Sequence, residues 1–111
     1  MKQPPAPSIS QRIQWLLEDL KAYQPEKIIL FGSAARGDVD EYSDLDVAII
    51  KRTTASFVAR SVEAVKLLRR GIGPVDLFVY TPEEFSRMRE NENPFIESIL
   101  KEGAVLYEKA A

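Results

Sequence analysis

The sequence predicts an α/β (α+β) fold in which helices cover a small mixed β-sheet. Short apolar segments of strand length alternate with longer amphipathic segments along the chain. The connection over residues 33–43 is short, which favours antiparallel pairing of the first two strands. The helical segment between the second and third strands favours a right-handed crossover that joins parallel neighbours. One sheet that contains both pairings is mixed.

The composition is that of one globular domain. The 111 residues are 45% hydrophobic and 29% charged, which suits a single domain over residues 8–111 behind a flexible, proline-rich tail over residues 1–7. A net charge of −2 argues against general nucleic-acid binding. The chain shows no signal peptide and no apolar run near the ~20 residues of a membrane span, so we expect a cytoplasmic protein without a membrane partner.

The first half of the domain contains a helix and two strands. Ser8 caps a predicted amphipathic helix over residues 9–23. Residues 27–31 form a short apolar strand, and a single helical turn over residues 33–37 follows it. Residues 44–50 are apolar enough to form a second strand that is buried over most of its surface.

The next predicted helix covers residues 55–70. Its apolar residues fall along one stripe, formed by Val58, Val62, Val65 and Leu68. Its cations are expected to form a solvated face rather than a nucleic-acid patch, because no aromatic residues interleave with Arg60, Lys66, Arg69 and Arg70. The aromatic residues expected in the core are Phe57, Phe78 and Tyr80.

The C-terminal part contains a third strand, two helices and an edge strand. The strand covers residues 75–80, and Thr81 with the following proline begins a helix. A second helix covers residues 93–103, and residues 104–107 form the edge strand. These helices carry more apolar surface than a small sheet can cover, which predicts association with a partner or a second copy through Phe85, Met88, Phe95, Ile96, Ile99 and Leu100.

Acidic residues mark the starts of two strands. Asp44 and Asp46 are two residues apart, so they project from the same face. Their repulsion must be offset by protonation, a basic partner or a bound cation. Because the chain has no Cys and no His, a bound metal would need oxygen ligands, which favours Mg²⁺. Parallel pairing brings Asp76, near the start of the third strand, to the same end of the sheet.

A glycine-containing turn faces these acids. The first strand runs in the opposite direction, so Gly32 and Ser33 meet the same edge of the sheet. Gly32 allows close approach of the backbone to a phosphate, and the amides at the start of the following turn form an anion site. A phosphate cradle opposite a metal pair suits nucleotidyl transfer.

These residues carry a family resemblance. The run Gly32-Ser33-Ala34-Ala35-Arg36-Gly37, followed by Ser43-Asp44-Leu45-Asp46 and later Asp76, resembles the minimal nucleotidyltransferase family of the DNA polymerase β-like superfamily. The resemblance implies a polymerase β-like nucleotidyltransferase fold. It also implies that Gly32 and Ser33 hold the triphosphate and that Asp44 and Asp46 bind two Mg²⁺ ions. Asp76 would hold one of the ions and act as, or orient, the catalytic base.

Two neighbouring residues have alternative interpretations. Arg36 either contacts a phosphate or forms a salt link to the acidic loop that contains Asp38, Asp40 and Glu41. Ser43 either contacts the nucleotide or turns the backbone before Asp44.

The resemblance also implies a partner. Minimal nucleotidyltransferases are paired with helical HEPN-domain proteins, often ribonuclease toxins, and act as antitoxins by attaching AMP from ATP to a tyrosine of the toxin. The alternative is a binding module that occludes its partner and uses nucleotide only as a structural ligand.

Overall fold

The computed structural model describes residues 6–37 and 43–110. Its helices are α1 (Ile9–Leu20, continued by a 3₁₀ turn at Lys21–Tyr23), α2 (Gly32–Arg36), α3 (Phe57–Val65), α4 (Pro82–Glu90) and α5 (Pro94–Glu102). Its strands are β1 (Lys27–Phe31), β2 (Leu45–Ile50), β3 (Val75–Tyr80) and β4 (Ala104–Glu108). The predicted order of elements is therefore confirmed. Most of the predicted proline-rich tail, and the acidic residues Asp38, Asp40 and Glu41, lie outside the described residues.

The four strands form one mixed sheet in the order β3-β2-β1-β4. β1 pairs antiparallel with β2 and β2 pairs parallel with β3, as the lengths of the two connections predict. β4 lies at the edge, antiparallel to β1, with an irregularity in register between Ile28 and Ile29. The starts of β2 and β3 and the end of β1 therefore meet at one end of the sheet.

Each face of the sheet has its own hydrophobic core. α1 and α3 cover one face, where the buried residues include Leu16, Leu20, Ile28, Leu45, Val47, Ile49, Ala64 and Val79. α4 and α5 cover the other face, where the buried residues are Ile29, Phe31, Ala48, Ile50, Tyr80, Ile96 and Ile99. The even-numbered residues of β2 point to this second face. Asp46, the second residue of β2, therefore faces the same side as the α5 core.

Local capping interactions fix where the helices begin. The Ser8 hydroxyl accepts from the Gln11 amide at 3.1 Å, so α1 starts where the sequence predicts. At α4, the Thr81 hydroxyl accepts from the Glu84 amide at 3.2 Å, and the Glu84 carboxylate accepts from the Thr81 amide at 2.8 Å. This reciprocal pair is a capping box.

The orientation of α3 differs from the one that its apolar stripe predicts. The helix is also shorter than the predicted residues 55–70. Val58 is 72% exposed, and Phe57, expected in the core, is 46% exposed although its ring contacts Tyr80. The face that packs on the sheet instead carries Ala64, which is fully buried, and Arg60, which is only 6% exposed.

The predicted solvated face is wrong for Arg60. Its guanidinium donates to the carbonyls of Ala55 and Val79 and forms a 2.6 Å ion pair with Glu84. These partners satisfy the donors, so the buried charge is tolerated. Arg69 is also engaged, because it donates to the Asp19 carboxylate at 2.8 Å.

The C-terminal helices expose less apolar surface than predicted. Ile96 and Ile99 are fully buried against the sheet, whereas Phe95 and Leu100 remain exposed. Phe85 and Met88 are partly buried against the same core, so only part of the predicted association surface is exposed. Among the described residues, no helix is both long and apolar enough to cross a membrane.

Candidate active site

The structure brings the three predicted aspartates to one end of the sheet. Asp46 of β2 is the direct register partner of Asp76 of β3. Asp44 precedes the first residue of β2 by one position and is exposed. The charges of Asp76 and Asp44 both act on Asp46. Parallel pairing of β2 and β3 thus produces the convergence that the sequence predicts.

The surroundings of Asp46 disfavour its charged form. Burial raises the pKa of Asp46 above its ordinary value, and the negative charges of Asp76 and Asp44 raise it further. The positive charge of Arg36 opposes this rise in pKa. Phe31 is the register partner of Asp46 on β1. The Phe31 ring packs against Phe78 and Phe95 at centroid distances of 5.8 and 5.5 Å. The sheet surface next to Asp46 is therefore apolar.

The Gly32 turn lies directly against this carboxylate. Gly32 is the first residue of α2 and has a φ of +72°, a conformation that L side chains rarely adopt. A Cβ at Gly32 would lie 2.4 Å from Oδ2 of Asp46. Only glycine allows this approach, and Ser33 follows it in the first turn of α2. The turn and the acidic pair therefore form one continuous site.

Arg36 has a partner that the sequence does not predict. Its Nη1 lies 3.0 Å from Oε2 of Glu102, which links α2 to α5. Both side chains are partly exposed. Arg36 lies close enough to lower the pKa of Asp46.

Ser43 lies immediately before the acidic segment, and its carbonyl accepts a 2.7 Å hydrogen bond from Nη1 of Arg12. Arg12 is fully buried, and it is absent from the residues that the motifs predict for the site. A signal was present, because Arg12 lies four residues before Leu16 and eight before Leu20, on the apolar stripe of α1. Burial lowers the pKa of the Arg12 guanidinium, and the charge of Asp44 opposes that effect.

The acidic residues fit a magnesium ion that is shared with a substrate. Within residues 6–37 and 43–110, no group of three or more Asp or Glu side chains is close enough together to hold a metal ion by itself. Mg²⁺ is usually held by one or two carboxylates together with substrate phosphates, rather than by a full set of protein ligands. A register pair of carboxylates beside a glycine turn supplies oxygen donors of that kind.

A separate cavity of about 770 Å³ does not belong to this site. It lies near the start of β1 and the end of β2, where Ile28, Lys51, Arg52 and Leu106 contribute to its walls. None of the predicted site residues lines it.

Sequence comparison identifies the family. A sequence model described as polymerase beta, nucleotidyltransferase matches residues 12–111. A candidate protein adenylyltransferase of Methanocaldococcus jannaschii, MJ0604, is 37% identical over 82 residues, which cover 74% of this chain and 78% of that protein.

Solved structures show the same fold. A nucleotidyltransferase candidate from Sulfolobus solfataricus matches with a TM-score of 0.58 and 21% identity, over 98% of this chain and 93% of that one. A toxin–antitoxin crystallised with AMP-PNP matches with a TM-score of 0.63 and 22% identity, over 87% of this chain and 73% of that one. A mutant of the toxin–antitoxin MntA-HpeT matches with a TM-score of 0.61 and 17% identity, over the same shares. The chain thus belongs to the polymerase β nucleotidyltransferase family, as its resemblance to the minimal members implies, and is a nucleotidyltransferase.

Proposed function

We propose that this protein transfers AMP from Mg²⁺-bound ATP to a tyrosine hydroxyl of a HEPN-domain toxin in the cytoplasm, and so acts as its antitoxin. The observation that carries the proposal is the contact between the Gly32 turn and Asp46, whose register partner is Asp76. A phosphate-binding turn against paired carboxylates is an arrangement for chemistry at phosphorus. The name of the M. jannaschii relative supports a protein as the acceptor, and the toxin–antitoxin neighbours support a toxin as the partner.

Each residue of the site has a proposed role. Asp44 and Asp46 would hold two Mg²⁺ ions, and Asp76 would share one of them. Bound Mg²⁺ would supply charge stabilisation at the α-phosphate and at the leaving pyrophosphate. The amides of Gly32 and Ser33 would hold the triphosphate.

The proposed transfer is a single displacement at the α-phosphorus. The tyrosine oxygen forms a bond to the α-phosphorus of ATP while the bond to pyrophosphate breaks. The hydroxyl proton passes to the Asp76 carboxylate or to a water molecule that Asp76 orients. The products are the AMP ester of the tyrosine and pyrophosphate.

Arg36 and Ser43 would add contacts to the nucleotide. The Arg36–Glu102 ion pair is partly exposed, so it contributes only about 0–1 kcal/mol. A triphosphate carries more negative charge than one carboxylate. It can therefore replace Glu102 as the partner of Arg36 at little cost in free energy. Ser43 is half-buried and directly precedes Asp44 in the chain.

The test is a search for covalent AMP on the protein encoded by the adjacent gene. The two proteins are incubated with ATP and Mg²⁺, and the partner is analysed by intact mass and by fragmentation to find the modified residue. Asp46→Asn should abolish the adduct. Asp19→Asn is the matched control, because Asp19 pairs with Arg69 on the other face of the sheet and should leave transfer intact.

Binding without modification would favour the alternative function. If the complex forms and inhibits the toxin while the wild-type protein attaches no AMP, the chain acts by occlusion and uses nucleotide only as a ligand. An adduct on serine or threonine would keep the enzymatic assignment and correct the acceptor.

A further inference from the structure

We propose that Arg12 is a positioning residue that holds the two acidic strand starts at the spacing that metal and nucleotide require. This inference rests on the proposed function, because it concerns the same site. Arg12 is 0% exposed, and it lies in the first helical turns of α1, a helix that contributes no predicted ligand. Its importance lies in the backbone groups that its guanidinium contacts.

Arg12 connects two loops that are far apart in sequence. Its Nη1 donates to the Ser43 carbonyl and its Nη2 donates to the Pro74 carbonyl, both at 2.7 Å. Its Nε donates to the Ile72 carbonyl. Ser43 comes directly before Asp44, and Pro74 comes two residues before Asp76. One side chain therefore ties down the backbone that leads into both acidic segments.

A backbone hydrogen bond completes the connection. The Leu45 amide donates to the Pro74 carbonyl at 3.1 Å, so this oxygen accepts from both Leu45 and Arg12. Leu45 lies between Asp44 and Asp46 in the chain. Movement of the Arg12 guanidinium would therefore release the point at which β2 and β3 first pair.

The electrostatics give this connection a specific purpose. Asp44, Asp46 and Asp76 repel one another when no cation is bound, and the repulsion acts to separate the starts of the two strands. The charge of Arg12 interacts with Asp44 from inside the fold. Arg12 thus provides both the opposing charge and the hydrogen bonds that keep the carboxylates together before a ligand binds.

A second buried arginine provides a matched control. Arg60 is also nearly fully buried and also donates to backbone carbonyls, but its partners are Ala55, Val79 and Glu84. These groups lie near the end of β3 and the start of α4, away from the acids. Arg60→Met should therefore destabilise the fold without a specific effect on the site.

Two glycines allow a test that keeps the arginine. Gly71 and Gly73 both have a φ of +86°, so an alanine at either position carries the strain of a positive φ, to which Pro74 adds a further restriction at position 73. A Cβ at Gly73 would lie 3.0 Å from three atoms of the Arg12 guanidinium, whereas a Cβ at Gly71 would meet nothing within 4 Å. Gly73→Ala forces the guanidinium to shift by a few tenths of an ångström, and Gly71→Ala controls for the strain of the positive φ.

The experiment compares Gly73→Ala with Gly71→Ala, and Arg12→Met with Arg60→Met, in the full chain. Calorimetry measures the dissociation constant of Mg²⁺-ATP. The hydrogen-exchange rate of the Leu45 amide in metal-free protein measures how firmly the starts of β2 and β3 are held together. We expect Gly73→Ala and Arg12→Met to weaken Mg²⁺-ATP binding by about 10–100-fold, the usual effect of losing an outer contact of a metal site. The Leu45 amide should exchange faster in these two variants than in their controls.

Equal Leu45 exchange and equal affinity in Gly73→Ala and Gly71→Ala would overturn the positioning role, even if Arg12→Met fails to fold. Arg12→Lys adds a further comparison, since lysine keeps the charge but cannot reach three carbonyls in a planar fork. It should recover part of the affinity lost in Arg12→Met, and no recovery would refute the electrostatic part of the role. If the wild-type protein binds no Mg²⁺-ATP, the proposed function fails. The Leu45 exchange rate alone then decides whether Arg12 holds the two strand starts together.

Discussion

Asp46→Asn tests whether the paired carboxylates bind a ligand rather than stabilise the fold. Asparagine has nearly the same shape as aspartate, so the substitution removes one negative charge with little steric change. Asp46 is the register partner of Asp76 and its pKa is raised, which shows that its charge is unfavourable in the metal-free protein. We expect metal-free Asp46→Asn to be more stable than the wild-type protein at neutral pH.

The size of this gain follows from the strand spacing. Register partners on neighbouring strands lie about 4.8 Å apart. Two unit charges at about 5 Å repel by about 0.8 kcal/mol in water and by about 3 kcal/mol at an effective dielectric constant near 20. Because Asp76 is exposed to solvent, the repulsion lies toward the lower figure. The free energy of unfolding should rise by about 1 kcal/mol.

The pH dependence of this gain has a definite sign. A raised pKa means that the native protein binds the Asp46 proton more tightly than the unfolded chain does. Between the ordinary aspartate pKa of about 3.9 and the raised value, the native state holds more protons, so this group's contribution to stability falls as pH rises. The advantage of Asp46→Asn should therefore be present at pH 7 and vanish below about pH 3.9. Asp19 and Glu84 have lowered pKa values and act in the opposite direction, but they cancel in the difference between the two proteins.

Urea unfolding in EDTA measures the metal-free gain at both pH values, and the same experiment with Mg²⁺-ATP measures binding. A ligand at about 100 times its dissociation constant stabilises the native state by about 2.7 kcal/mol, and Asp46→Asn should lose most of that stabilisation. A metal-free Asp46→Asn that is less stable than wild type would show that the carboxylate has a structural role. Full Mg²⁺-ATP stabilisation in the variant would exclude Asp46 from the binding site.

Three further pairs of substitutions test separate parts of the structure. Gly32→Ala and Gly37→Ala should each cost about 1–2 kcal/mol of backbone strain, but only Gly32→Ala, whose Cβ would meet Asp46 at 2.4 Å, should also abolish the thermal shift with Mg²⁺-ATP. In denaturant unfolding, Val58→Lys should change the free energy of unfolding by less than about 0.5 kcal/mol, whereas Ala64→Lys should lower it by more than about 3 kcal/mol. A larger loss for Val58→Lys than for Ala64→Lys would mean that α3 is rotated. Thr81→Ala should lose about 1 kcal/mol with its cap, and Thr81→Ser should restore most of it in the same assay.

Local signals predicted the elements well. Caps such as Ser8 and Thr81 act over three residues, and the strand residues 27–31 and 75–80 are short apolar runs, so the information lies within each segment. The position of Asp76 at the same end of the sheet as Asp46 was also predictable, because the lengths of the connections select parallel or antiparallel neighbours. The proximity of the aspartates thus follows from topology combined with a two-residue spacing.

Contacts between distant segments account for the features that the sequence did not predict. An arginine is normally assigned to the surface, but Arg12 and Arg60 are buried because carbonyls supply partners that no sequence pattern identifies. Arg36 pairs with Glu102, which is 66 residues away. Helical spacing shows which residues of α3 share an apolar face, but it does not show whether another element covers that face, so the stripe that predicts a core position is exposed at Val58.

Two arginines compensate the negative charge at the acidic end of the sheet, and their different burial gives them different roles. Arg12 is fully buried and bound to three carbonyls, so a ligand cannot recruit it without disrupting the starts of both strands. Arg36 is partly exposed and paired with a partly exposed carboxylate, so a phosphate can recruit it at little cost. Since charge repulsion is strongest when no cation is bound, the fixed arginine has its largest effect in the metal-free protein. Substitution of Arg12 should therefore have its largest effect on Leu45 amide exchange in the metal-free protein. Arg36→Gln should instead weaken nucleotide affinity and leave Leu45 amide exchange unchanged.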